Sequence, residues 1–193
     1  MPHLDLHKEQ LRGVDSSDPL AAVDVADALA DLLGDTEGEV VLFCIGSDRA
    51  TGDCLGPMVG TILSQAPFLD ATVIGTLDKP IQAANITEAI RRIEIDHPGA
   101  RIIALDAMLG NLDSVGRIFI SKGSLKPGEG VQKSLPEVGD ISIQGAVNVG
   151  GFMEYFVLQN TRLKLVWQMA HVIADGLSQA LARRSVKLSV ASS

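Results

Sequence analysis

The sequence is poor in aromatic residues, cysteine and basic charge, and each shortage excludes a class of protein. Seven of the 193 residues are Phe, Tyr or Trp, and two cysteines, Cys44 and Cys54, are too few for a disulfide framework. Sixteen Lys and Arg against 24 Asp and Glu give a formal net charge of −8, which opposes binding to nucleic acid or to an anionic membrane. No uncharged apolar run approaches the roughly 20 residues of a membrane-spanning helix, and residues 1–5 do not begin a secretory signal. We therefore expect a cytoplasmic protein whose partners include neither nucleic acid nor a membrane.

The overall composition is that of a globular protein. Apolar residues make up 46% of the chain and charged residues 21%, with 19 glycines. Residues 1–17 are polar and show no periodic pattern, so we expect a flexible N-terminal segment there. The remaining length suits one domain, which we place at residues 18–193.

Strand and helix patterns alternate along the chain. Strands are predicted at residues 40–45, 72–76, 101–106, 115–121 and 140–147. Helices are predicted at residues 19–33, with Asp18 as a cap, from Gly56 to Leu63, and at 85–95 and 161–184. This alternation predicts an α/β fold, a three-layer αβα sandwich around a mostly parallel central sheet.

Two aspartates follow strands that the fold would place side by side. In a doubly wound sheet of strand order 2-1-3, the loop containing Asp53 and the strand end at Asp106 face one crevice. Two carboxylates about 4 Å apart repel by about 4 kcal/mol at an effective dielectric near 20, so the pair would share a proton. We assign Asp53, near the amino end of the Pro57 helix, as the ionised base, and Asp106, closing an apolar strand, as the protonated acid. The alternative is structural, because Asp in such positions often makes turns or caps the next element.

Other residues of the same loops are candidates for substrate binding. Gly52 and Gly56 would let the backbone approach a substrate, and Asp48 and Asp78 would position it, although ordinary surface charge explains the two aspartates equally well. The glycines do not reproduce a dinucleotide-binding G-x-G-x-x-G pattern.

The histidines give little support to a metal site. His3 and His7 lie near the N-terminus, His97 precedes a strand at the opposite end, and His171 lies on the last helix. The predicted site therefore has no metal and no cofactor. Cys54 is expected to be a packed thiol rather than a nucleophile, since no His is placed to activate it.

Two further segments leave alternatives open. Residues 152–156 contain Phe152, Tyr155 and Phe156, for which we expect core packing, with self-association into a homo-oligomer or a substrate groove as the alternatives. The loop 123–139 carries Lys126 and Lys133, which we expect in water; the alternative is that they steer an acidic polypeptide.

Five separated blocks carry a family resemblance: residues 45–57, 75–80, 105–110, 126–130 and 148–156. They closely resemble the YyaC family, whose members are assigned as spore proteases by homology, over about residues 40–174. That family is similar to the spore germination protease and, more remotely, to hydrogenase maturation proteases. The resemblance implies a phosphorylase/hydrolase-like αβα sandwich.

The resemblance also implies roles for the two aspartates. Germination protease is regarded as an unusual aspartic-type endopeptidase, and its D-x-L-G-P and I-D-A motifs resemble the stretches around Asp53 and Asp106, with Leu105 replacing the Ile. Hydrogenase maturation proteases have Glu where Asp53 stands and a His as a third nickel-contacting group. This sequence has no His in a comparable motif, so it fits the germination protease branch better.

Together, the residues and the resemblance predict a metal-independent peptide hydrolase of the sporulating cell or spore interior. Asp53 would activate water and Asp106 would protonate the scissile group, with a polypeptide as substrate and small acid-soluble spore proteins as the implied class. The first alternative is a non-catalytic sporulation factor that uses the crevice as a peptide-binding or assembly surface. The second is a metal-sensing maturation peptidase.

Overall fold

The structure is a computed structural model that describes residues 12–34, 37–67, 69–128 and 135–191. The strands are β1 Arg12–Asp15, β2 Val40–Cys44, β3 Thr72–Ile74, β4 Arg101–Gly110, β5 Arg117–Lys122 and β6 Ile141–Val149. The α-helices are α1 Ala21–Leu33, α2 Leu55–Ser64, α3 Ile86–Asp96, α4 Glu154–Gln159 and α5 Leu163–Ala191. Short 3₁₀ helices cover Gly52–Cys54 and Leu112–Ser114.

The six strands form one mostly parallel sheet in the order β1-β5-β6-β4-β2-β3. β2 pairs in parallel with both β3 and β4, and β4 pairs in parallel with β6. β5 runs antiparallel to its neighbours β1 and β6. Every residue of β2 is buried, as expected for a central strand covered on both faces. The carboxyl ends of β2, β3, β4 and β6 therefore meet at one end of the sheet.

Helices cover both faces of the sheet, which confirms the predicted three-layer α/β sandwich. On one face, Leu29 of α1, Leu55 of α2 and Ile173 of α5 share a core with Leu42 and Leu105. On the other face, the buried isoleucines of α3, Ile86 and Ile93, share a second core with the alternate strand residues, such as Phe43 and Ala104.

β4 is longer than the sequence pattern predicts. Its pairing with β2 ends at Cys44 and Leu105, but its pairing with β6 continues to Gly110 opposite Val149, with a bulge between Met108 and Leu109. Asp106 therefore lies inside the strand and does not close it. The cause is β6, which supplies backbone partners for residues that have lost them on the β2 side.

Three local elements differ from expectation. Arg12–Asp15, expected in the flexible segment, pair with β5, while residues 1–11 lie outside the described residues. α1 begins at Ala21 because the Asp18 side chain accepts the N–H of Leu20 and does not cap the helix. The short helix α4 was not predicted. Lys133 of the 123–139 loop also lies outside the described residues.

Within the described part of the chain, no helix combines the length and the hydrophobicity needed to cross a membrane.

Candidate active site

The structure brings Asp53 and Asp106 together at the carboxyl end of the sheet. Asp53 lies in the 3₁₀ helix Gly52–Cys54, between the end of β2 and the start of α2, and this helix contacts β4. Asp106 lies on β4, the neighbour of β2. The two side chains are close enough for the negative charge of Asp53 to raise the pKa of Asp106.

Asp106 is a buried acid whose surroundings favour its neutral form. Its side chain is 5% exposed, and burial, followed by the charge of Asp53, raises its pKa well above the usual value. Two backbone N–H groups act in the opposite direction: Ala107 donates to Oδ1 at 2.8 Å and Gly128 approaches Oδ2 at 3.4 Å. Burial and charge outweigh these contacts, so Asp106 gives up its proton less readily than an exposed aspartate does.

Asp53 titrates lower than Asp106. Burial raises its pKa from 3.8 to about 6, while the backbone N–H of Ser47 acts to lower it. Because a protonated Asp106 carries no charge, it leaves Asp53 free to ionise. Proximity to the amino end of α2 was expected to keep Asp53 ionised; burial overrides that effect below pH 6. Because the charge of Asp53 raises the pKa of Asp106, Asp53 ionises first, and the singly ionised pair is a base beside an acid.

Two of the loop glycines are explained by packing inside the protein. A Cβ at Gly56 would lie 2.0 Å from the carbonyl oxygen of Ile45, so glycine lets α2 approach the end of β2. A Cβ at Gly52 would lie 2.8 Å from Leu158 and 2.9 Å from Thr161. Gly52 and Gly56 are both buried, and this packing role differs from the substrate contact expected from the sequence.

Asp48 and Asp78 are exposed on loops at the same end of the sheet. Asp48 contributes to the raised pKa of the Cys54 thiol, after burial and the closer Asp53. Within the described residues, neither Asp48 nor Asp78 makes a hydrogen bond to the aspartate pair. Their predicted part in substrate positioning stays a prediction.

Cys54 is a packed thiol, as expected. Its Sγ donates to the carbonyl oxygen of Thr51 at 2.9 Å and lies 3.7 Å from Sδ of Met58. Burial raises the pKa of the thiol, so the reactive thiolate form is disfavoured.

The described residues contain no group of three or more His, Cys, Asp or Glu side chains that could hold a metal ion. His171 directs Nδ1 to the carbonyl oxygen of Trp167 at 2.9 Å, and the two rings pack with centroids 4.5 Å apart. His97 lies beside Glu39 at the opposite end of the sheet. His3 and His7 lie outside the described residues.

The aromatic side chains of residues 152–156 are not in the core, so that prediction is wrong. Phe152 is 83% exposed, Tyr155 60% and Phe156 55%. α4 buries Leu158 and turns its aromatic residues outward, because a helix of six residues has one side to pack. Leu158 meets Gly52, which places α4 beside the 3₁₀ helix of Asp53.

The sequence analysis did not identify three residues of the site, Ser47, Gly128 and Asn148. Two of them act through the backbone, and the third lies in a distant segment of the chain. The N–H of Gly128 approaches the Asp106 carboxyl, while the N–H of Ser47 donates to the main-chain carbonyl oxygen of Asp53 at 3.0 Å and acts to lower the pKa of its carboxyl. The Asn148 side chain donates to the carbonyl oxygen of Val157 at 3.3 Å and to Thr161 Oγ1 at 3.2 Å, and so ties the end of β6 to α4. The Gly150–Gly151 pair that follows β6 is a sequence signal for a turn there.

Comparison with known proteins identifies the family of this chain and proteins that are similar to it. The model of the family described as "Protein of unknown function (DUF1256)" matches residues 13–176. The chain is 51% identical over 166 residues to "Uncharacterized protein YyaC" of Bacillus subtilis (strain 168), an alignment that covers 86% of this chain and 81% of that protein.

Among solved structures, the nickel–iron hydrogenase maturation protease HycI from Thermococcus kodakarensis KOD1 is similar with a TM-score of 0.48 and 16% identity. The match covers 77% of this chain and 97% of that chain. The sequence relative confirms the resemblance to YyaC, and the family match shows that the chain belongs to the DUF1256 family.

Proposed function

We propose that this protein is a peptide hydrolase of the aspartic type, with Asp53 as general base and Asp106 as general acid. The observation that carries the proposal is the meeting of two largely buried carboxyls at the carboxyl end of a parallel sheet, where burial raises the pKa of both. Ligand sites in open α/β sheets lie at this end, and strongly perturbed acids cluster at functional sites.

The reaction needs one proton to be taken and one to be given. Asp53 removes a proton from a water molecule, whose oxygen attacks the scissile carbonyl carbon, while Asp106 donates its proton to the carbonyl oxygen. The C–N bond then breaks as Asp53 passes its proton to the leaving nitrogen, and a hydroxyl of the intermediate returns a proton to Asp106. Both aspartates finish in their starting states. The N–H of Ala107, at 2.8 Å from Oδ1, orients Asp106 throughout.

The substrate class is proposed from the sequence resemblance. Small acid-soluble spore proteins would be cleaved in the cytoplasm of the sporulating cell or in the spore interior. The relative from Bacillus subtilis supports the family assignment and leaves the substrate as part of the proposal.

A second function has its own supporting observation. A non-catalytic sporulation factor would use the crevice and the exposed aromatic residues 152–156 as a peptide-binding or assembly surface. The exposure of Phe152, Tyr155 and Phe156 favours this alternative, because large apolar side chains grouped at a surface mark interaction sites.

The test is a cleavage assay on small acid-soluble spore proteins and a mixed peptide library, with and without EDTA. We expect cleavage in EDTA, and a loss of about 10²- to 10⁴-fold in Asp53→Asn and in Asp106→Asn. Asp175→Asn, which alters an exposed acid on α5, is the matched control and should cleave normally. Binding without cleavage by all of these proteins would favour the non-catalytic factor. Cleavage that survives in both site variants would overturn the assignment of the two aspartates.

A further inference from the structure

One edge of β4 is open beside the aspartate pair. The N–H of Ile45 donates to the carbonyl oxygen of Leu105 at 2.8 Å, and pairing on this side then ends. β4 continues for five residues, from Asp106 to Gly110, with β6 as its partner on the other side. Within residues 12–34, 37–67, 69–128 and 135–191, no strand pairs with this part of β4 on the β2 side.

The peptide groups on this side are arranged to accept another strand. Leu105 directs its carbonyl towards β2, so Ala107 and Leu109, two and four residues further on, face the same way. Gly110 faces β6, where its carbonyl oxygen accepts the N–H of Gly150 at 2.9 Å. The N–H of Ala107 is occupied by Asp106. The carbonyl of Ala107 and both polar groups of Leu109 are left facing the open side, in residues that are only partly buried.

Exposed aromatic side chains stand at the far end of this edge. Gly110 pairs with Val149, the last residue of β6, and the chain then enters the segment that carries Phe152, Tyr155 and Phe156. We call these three residues the aromatic surface. α4, to which two of them belong, contacts the 3₁₀ helix of Asp53. The open edge thus runs from the aspartate pair towards an apolar surface.

We propose that an extended polypeptide adds to the open edge of β4 as a further strand and places a large apolar side chain on the aromatic surface. Alternating N–H and C=O groups along an edge are matched by another peptide backbone, whereas a compact small molecule matches few of them. The inference rests on the proposed hydrolase for the fate of this polypeptide. It adds that the substrate is an unfolded or locally unfolded segment, because a residue within a folded domain's sheet or helix has its backbone groups already paired.

The test measures binding without cleavage, in full-length Asp106→Asn protein. The probe is a short fluorescein-labelled peptide in which threonine alternates with phenylalanine, and binding is followed by fluorescence anisotropy. A second probe has the same side chains but N-methyl groups on alternate peptide nitrogens, so it cannot donate along one edge. We expect N-methylation to weaken binding about tenfold, since the hydrogen bonds from the probe to the carbonyls of Ala107 and Leu109 are lost.

The apolar contact is tested with matched surface variants in the same background. Phe152→Ser should weaken binding of the first probe roughly fivefold, while Ile95→Ser should leave it unchanged. Ile95 is 61% exposed on the last turn of α3, at the opposite end of the sheet, so it controls for loss of an exposed apolar side chain.

Each result points one way. Equal affinity for the two probes, or equal effects of Phe152→Ser and Ile95→Ser, would overturn the inference. So would a doubling of the protein's mass in sedimentation that Phe152→Ser reverses, because a second copy would then occupy the surface. Cleavage without discrimination against the N-methylated probe would remove this inference and leave the hydrolase standing. Discriminating binding with no cleavage by the unsubstituted protein would remove the hydrolase instead.

Discussion

The two ends of the central sheet both carry acidic side chains, but they surround them differently. At the amino end, Glu39 accepts a hydrogen bond from Thr72 at 2.9 Å and lies 2.7 Å from Nδ1 of His97. Asp140, before β6, accepts the N–H of Ile102 at 2.8 Å. All of these contacts lie at the protein surface. At the carboxyl end, burial raises the pKa of both aspartates, and the charge of Asp53 raises the pKa of Asp106 further.

The acids at the amino end therefore stabilise the folded state, whereas the acids at the carboxyl end destabilise it when they ionise. A partly exposed carboxylate with polar partners favours the folded state weakly, whereas burial of an acid without a cation opposes folding once the acid must ionise. Glu88, on α3, is a further example of the first kind, since Arg91 and Arg92 lower its pKa to about 2. The described residues place no Lys or Arg in an ion pair with Asp53 or Asp106. A costly arrangement at the end of the sheet where open α/β folds bind their ligands fits a functional site.

The contrast between the two ends of the sheet can be tested most strongly through the pH dependence of cleavage, where we expect the largest effect. The proposed mechanism requires ionised Asp53, whose pKa is about 6, so kcat/KM should fall roughly tenfold for each pH unit below 6. At higher pH the rate should fall again when Asp106, whose pKa is also raised, loses its proton. The measurement is kcat/KM against pH for a cleaved peptide. Activity that rises from pH 6 to pH 4 would exclude Asp53 as the base.

The next effect is on stability. A folded-state pKa of about 6 against 3.8 means that ionising Asp53 costs the folded protein at most about 3 kcal/mol. The cost is absent below pH 3.8, grows as pH rises to 6, and is complete above 6. Asp53→Asn should therefore raise the free energy of unfolding by about 2 kcal/mol at pH 7.5 and by nothing near pH 3.5.

Urea unfolding over this pH range measures that difference. Asp175→Asn should show no comparable rise, and Asp106→Asn should change in the same direction as Asp53→Asn, because the pKa of Asp106 is also raised. Loss of stability in Asp53→Asn at pH 7.5 would mean that this carboxylate supports the fold.

The smallest expected effect is at the amino end of the sheet. Glu39→Gln should lower the free energy of unfolding by about 0.2 to 1 kcal/mol, since it removes one charge from a partly exposed pair. Added salt should shrink the loss. The same urea measurement at pH 6 tests it, and a gain in stability here would remove the distinction between the two ends.

The central part of the fold was predictable because its signals are local. The apolar run at 40–45 is buried on both faces, and the pattern of strands and helices fixed β2 and β4 as neighbours. Asp53 and Asp106 could be named from that adjacency. The extension of β4 to Gly110 could not, because it depends on β6, which lies more than 30 residues further along the chain.

The errors come from short segments. β1 has four residues, two of them charged, and takes its strand form from pairing with β5. Segment 152–156 is rich in aromatic residues, and this composition led to the prediction that they pack in the core. Their exposure follows from the place of α4 outside the sheet, where Leu158 alone of its residues is buried. The local sequence pattern does not distinguish an apolar residue that packs in the core from one that is exposed at the surface.

The two edge strands of the sheet, β1 and β3, are short. β1 has four residues and β3 has three, so neither offers a long row of unpaired backbone groups to another molecule's sheet. β1 pairs with β5, so β5 is not an edge strand. β5 has six residues, including the buried Ile118 and Ile120. A few residues before the first helix thus protect the folded protein from aggregating through its sheet.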